Sequence, residues 1–101
     1  MRENYSYPLD PEWSDDDIVG VISLYNAVES VYESGISKEK FMQKYRAFCQ
    51  VVPTKMEQRK FDKEFQLESG YSIYQAFKQS QSTPSNGKVR LHYERNKSRN
   101  R

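Results

Sequence analysis

Apolar residues recur at helical spacing along the chain up to about residue 79. Between Trp13 and Gly35, the residues Ile18, Val21, Ile22, Tyr25, Val28 and Tyr32 step by three or four, with Leu24 and Val31 widening the stripe. This pattern predicts an amphipathic helix over about 15–34. Ser14 is placed to cap it and Asp17 to answer as a variant capping box, while Trp13 and Ile18 have the spacing of a hydrophobic staple. Asp15, Asp16 and Asp17 complement the positive end of the helix dipole. Gly35 supplies the left-handed residue that closes the last turn, with Ile36 set to fold back on Val31.

Three further helices follow with little chain between them. Phe41, Met42, Tyr45, Phe48, Cys49 and Val52 form the stripe of a helix over about 38–52, capped by Ser37. Pro53 stops it, and Thr54 with Glu57 opens a third helix over about 55–69. Its stripe of Met56, Phe61, Phe65 and Leu67 is thinner, so it should be the most exposed of the three. Gly70 ends it, with Tyr71 able to reach back to Phe65, and Ser72 with Gln75 caps a short fourth helix over about 73–79. Such short connections force neighbouring helices into antiparallel or sharply angled pairs. The fold class is therefore all-α, a small bundle of three to four helices, with Tyr25, Val28, Phe41, Tyr45, Phe48 and Phe77 near its centre.

Both flanks read differently. Pro8 and Pro11 exclude a helix from residues 1–12, where Tyr5, Tyr7 and Leu9 alternate as in an extended strap laid over the bundle. Packing of Tyr7-Pro8 is favoured over a binding motif. From about Ser80 the composition turns to Gln, Ser, Thr, Pro, Asn and Gly, with alternation limited to Val89, Leu91 and Tyr93. Residues 80–101 carry six cations and one acid, and they are expected to form a disordered basic tail beyond a single domain of residues 1–79.

Composition agrees with a modest, aromatic core. The chain has 101 residues, enough for one domain. Phe, Ile, Leu and Val total only 20, but eight Tyr, five Phe and one Trp bury large areas each. The net charge of +2 hides a split: residues 1–35 carry one cation and eight acids, residues 36–101 fifteen cations and six acids. That asymmetry fits polyanion binding by the basic part, but in a helical domain it more often gives a dipolar surface that steers partners or does nothing. No apolar run is long enough for a membrane helix, and the N-terminus lacks a charged-then-apolar leader pattern, so a cytoplasmic location is expected.

Little in the chain points to an enzyme. Asp10, Glu12, Asp15, Asp16 and Asp17 lack the spacing of a calcium loop, and helix-dipole complementation accounts for them better than a metal. Cys49 is the one cysteine and falls on an apolar stripe, while His92 is the one histidine and falls in the tail. The four glycines are isolated, so no phosphate loop is present. No catalytic residue, cofactor or metal is expected.

Two leads remain. Eight tyrosines exceed what so small a core needs, and Tyr71 and Tyr74, around a tight turn, are the candidates for a protein interface. Lys55, Arg59 and Lys63 step by four along the third helix, although Glu57, Asp62, Glu64 and Glu68 dilute them. With Arg90, Tyr93, Arg95, Lys97, Arg99 and Arg101 of the tail they form a pattern suited to nucleic-acid phosphates and base stacking.

The run Val52-Pro53-Thr54-Lys55, the pair Glu64-Phe65, the run Ser69-Gly70-Tyr71-Ser72-Ile73-Tyr74, and the pieces Trp13-Ser14 and Tyr45-Arg46-Ala47-Phe48 resemble the YktA-like family of uncharacterised proteins in Gram-positive bacteria. The resemblance covers about residues 5–79. It implies a small all-helical cytoplasmic domain and brings no activity, cofactor or catalytic residue. Thr54 stands where the family pattern has Ser, an exchange of one cap for another, and the basic tail extends past the family's usual end. The sequence thus points first to a non-enzymatic protein-interaction or regulatory module with an unidentified protein partner. Its alternative is a nucleic-acid-binding module that uses the tail.

Overall fold

Four helices form where the apolar stripes place them: α1 (Asp15–Glu33), α2 (Lys38–Val51), α3 (Lys55–Ser69) and α4 (Ile73–Gln81). Two-residue strands β1 (Ile36–Ser37) and β2 (Lys88–Val89) complete the computed structural model, which describes residues 7–92. Each helix starts on its expected cap. Ser14 Oγ accepts the N–H of Asp17 at 3.1 Å, and Ser37 Oγ that of Lys40 at 3.2 Å. Thr54 Oγ1 accepts from Glu57 at 3.2 Å and Ser72 Oγ from Gln75 at 3.1 Å. One N–H that the helix itself leaves unpaired is thereby satisfied in each first turn.

Gly35 and Gly70 adopt positive φ, 90° and 85°. Gly70 closes α3 in the left-handed conformation, its N–H reaching Gln66 O at 2.8 Å. After α1, the N–H of Gly35 returns to Ser30 O at 2.6 Å. The chain reverses there within a few residues, and α2 packs against α1.

The core is aromatic and β-branched. Val21, Leu24, Tyr25, Ala27, Val28 and Val31 of α1 meet Phe41 and Phe48 of α2, Phe61 and Phe65 of α3, and Ile73 and Ala76 of α4. Leu24 and Val31 are fully buried at the middle of the α1 face, whereas Ile18 and Ile22 are only half-buried, so the stripe is rotated from the one the spacing favours. Tyr45 and Phe77 sit at the core's edge, stacked on each other with centroids 4.4 Å apart. Met56 and Leu67 do not join the α3 stripe. They are 76% and 79% exposed, and the buried face of that helix is carried by Phe61 and Phe65, one turn apart.

The strap is present from Tyr7 onward and is held by rings and hydroxyls. Tyr7 stacks on Tyr25 at 5.3 Å, and Tyr25 stacks on Phe65 at 4.6 Å. Tyr25 donates its hydroxyl to Pro8 O at 2.7 Å, while the Tyr7 hydroxyl donates to Glu29 Oε2 at 2.9 Å. Trp13 lies on Phe61 with centroids 5.1 Å apart, so the chain approaching α1 is tied to α3. Tyr5 lies outside the described residues.

The expectation of a disordered tail from Ser80 is corrected for residues 80–92. Helix α4 runs to Gln81, and β2 pairs antiparallel with β1, Ile36 opposite Val89 and Ser37 opposite Lys88. Val89 is fully buried. The polar residues before it are bonded: Thr83 Oγ1 donates to Gln79 O at 2.7 Å, Lys38 Nζ to Thr83 O at 2.9 Å, and the Lys38 N–H to Gly87 O at 3.0 Å. Leu91 N–H reaches Val31 O at 2.9 Å. Polar composition suggests disorder only when polar groups lack partners within the fold, and here they have them.

Candidate functional site: a cleft among α2, α3 and α4

Helices α2, α3 and α4 enclose an open cleft of about 650 Å³. Its floor is apolar, made by Tyr45 and Phe48 of α2 and by Ile73 and Phe77 of α4. Lys55, Arg59 and Lys63 line the α3 side, with Gln58, Asp62 and Gln66. The three cations step by four residues, about 6 Å each, and so form a row along the helix. All three are exposed, and none of their side chains makes an ion pair or hydrogen bond with another described residue. Tyr74, 56% exposed, stands at the rim, with Lys78 Nζ 5.7 Å from its ring centre.

Asp62 fixes how α4 meets this cleft. Its Oδ1 accepts the Ile73 N–H at 2.7 Å, and its Oδ2 accepts the Tyr74 N–H and the Ser72 hydroxyl, both at 3.2 Å. The carboxylate thus occupies the positive end of α4 together with the Ser72 cap. Burial pushes its pKa up, and the bonds from Ile73, Tyr74 and Ser72 only partly oppose that. Burial likewise pushes the Tyr45 hydroxyl up to about 12, with Cys49 and Asp62 adding to the shift. Tyr25, deeper in the core, is raised further by burial and by the charges of Glu64 and Asp62.

The sequence candidates separate in space. Lys55, Arg59 and Lys63 come together with Tyr74 in the cleft. Tyr71 does not line it: its ring is stacked on Tyr32 at 4.6 Å and its hydroxyl donates to Glu33 Oε2 at 2.8 Å. Arg90 is exposed beside the end of α1, its Nη1 3.4 Å from Ser34 O, away from the α3 row. Tyr93, Arg95, Lys97, Arg99 and Arg101 lie outside the described residues. Cys49 is half-buried on α2 and His92 exposed after β2, and neither lines the cleft. Asp62 is the residue that sequence reasoning missed, counted there among the acids that dilute the cations. Its partners begin ten residues later in another helix, and no local periodicity announces such a bond.

The family described as uncharacterised protein family UPF0223 matches residues 4–89. The chain belongs to this family. The match extends through β2, ten residues past the end at 79 that the motifs suggest, in keeping with a fold that closes on Val89. The UPF0223 protein YfdD of Lactococcus lactis is 47% identical over 79 residues, 78% of this chain and 85% of the relative. A UPF0223 protein of Bacillus cytotoxicus is 45% identical over 87 residues, 86% of this chain and 98% of the relative. One of Staphylococcus saprophyticus is 48% identical over 80 residues, 79% of this chain and 87% of the relative. No helix of the described residues is long and apolar enough to cross a membrane.

Proposed function

We propose that this UPF0223 chain is a non-enzymatic, cytoplasmic protein-interaction module of the YktA-like type, which takes a segment of a partner protein into the cleft among α2, α3 and α4. The observation that carries this is the union of an aromatic floor and a row of cations in one open cleft. Binding sites for macromolecules combine apolar anchors that supply affinity with charged groups that orient the partner. Tyr74, exposed beside buried Ile73, has the mixed apolar and polar character favoured at such surfaces.

A non-enzymatic role is supported by the state of the cleft's acid. Both Asp62 oxygens are engaged by the first turn of α4, where they hold the helix rather than await a substrate proton. Nucleic-acid binding shares the α3 cations, but Arg90, the one tail candidate within the described residues, faces the end of α1 instead of the cleft.

Panning a random peptide display library on the immobilised full chain tests the proposal. Enriched peptides whose addition shifts the NMR resonances of Lys63, Tyr74 and Phe77 are expected. Failure to enrich, or binding of single-stranded oligonucleotide at the cleft in place of peptide, would overturn it.

A further inference from the structure

We infer that the cleft is built for an acidic amphipathic helix, whose carboxylates face Lys55, Arg59 and Lys63 while its apolar stripe enters between α2 and α4. This rests on the cleft being a protein-docking surface and adds the conformation and charge of what docks.

A docked segment brings backbone N–H and C=O groups that must stay paired. An extended segment would carry unpaired N–H and C=O groups into the cleft and would need a strand edge or open helix end to satisfy them. The cleft walls are helices whose main chains are bonded internally, and the two helix starts at its edge are capped, that of α3 by Thr54 and that of α4 by Asp62 and Ser72. The β1–β2 ribbon contributes no residue to the lining. A helix arrives with its backbone already paired and presents only side chains, which is what an aromatic floor of Tyr45, Phe48 and Phe77 can receive.

Charge and spacing identify the other face of the ligand. Three cations against one acid, Asp62, leave the lining with an excess of two positive charges. Residues four apart on a helix are separated by about 6 Å along its axis, so carboxylates repeating every four residues can meet Lys55, Arg59 and Lys63 in turn when the two helices lie side by side. Arg59 sits at the middle of the row and can bind a carboxylate through two parallel N–H bonds. The basic end of this same chain has the wrong sign to be the occupant.

Fluorescence anisotropy with the full chain and four labelled probes tests this. The first is a synthetic peptide of about 18 residues, long enough to hold a helix, with Leu and Phe on one stripe and Glu at successive four-residue steps. The others are the same peptide with Lys for Glu, the acidic peptide interrupted by two prolines, and a single-stranded oligothymidylate. The acidic helix should bind at least tenfold more tightly than the other peptides. The double substitution Arg59→Glu and Lys63→Glu, on exposed positions that leave the circular dichroism unchanged, should reverse the order and favour the Lys peptide. Equal binding of the proline-interrupted peptide would overturn the helix inference while leaving the docking surface standing. Binding of oligothymidylate alone, or of no probe at the cleft, would overturn the inference, and the display selection then decides the broader proposal separately.

Discussion

Ile73 donates its main-chain N–H to Asp62 across 2.7 Å, which fastens the start of α4 to the middle of α3. The same carboxylate holds Tyr74 and Ser72. Asp62→Ala should leave the N–H groups of α4's first turn without this partner and lower stability by about 1.5–3 kcal/mol, as for hydrogen bonds to a charged group. Urea denaturation measures it, and a loss within error would show that Ser72 caps α4 unaided.

Asp62 also gives stability a pH dependence. Its folded pKa lies above the ordinary value because burial outweighs its bonds, so the folded state holds the proton more strongly than the unfolded state. The resulting contribution is fully present below the unfolded pKa, near 3.9, and is lost as pH rises through the folded pKa. Relative to Asp62→Asn, the wild-type chain should therefore gain stability as pH is lowered from neutral toward 4. A relative loss over that range would show that the hydrogen bonds dominate.

Val89 tests the closure of the fold beyond α4. It is fully buried opposite Ile36, and Val89→Ala removes two buried carbons and leaves a cavity. The expected cost is about 1.5–3 kcal/mol. An unchanged denaturation midpoint would return residues 88–89 to the status of a tail.

Tyr25 and Tyr45 should ionise late. Burial raises both, Tyr45 to about 12, so the folded chain keeps protons that an unfolded chain releases near pH 10. The stabilisation is present below pH 10 and is lost as pH rises toward the folded values. At pH 11, unfolding with urea should produce a step in phenolate absorbance, reduced in a Tyr25→Phe variant. Absence of a step would show that both hydroxyls reach solvent.

What the sequence disclosed and what it withheld divide along the range of the interactions. Ser14, Ser37, Thr54 and Ser72 were legible as caps because each bonds to an N–H three residues away. Gly35 and Gly70 were legible because left-handed backbone favours a residue without Cβ. Val89 was not, since its burial depends on a strand 53 positions earlier and the local alternation is only three residues long. Met56 and Leu67 passed for stripe residues because a helix with few apolar positions gives its core direction only loosely, and tertiary packing chose Phe61 and Phe65. Lys55, Arg59 and Lys63 could be seen as a row. That aromatic residues from two other helices form the floor beside them is a property of the assembled bundle.

Docking of an acidic amphipathic segment in the cleft among α2, α3 and α4 is open to direct measurement. Chemical-shift mapping of the isotope-labelled full chain, titrated with the acidic helical peptide at physiological salt, tests it most directly. Saturable shifts are expected at Arg59, Lys63, Tyr74 and Phe77, with Arg90 and the strap at Tyr7 unmoved. Shifts centred on Arg90 and the chain beyond it, or none at saturating peptide, would contradict it.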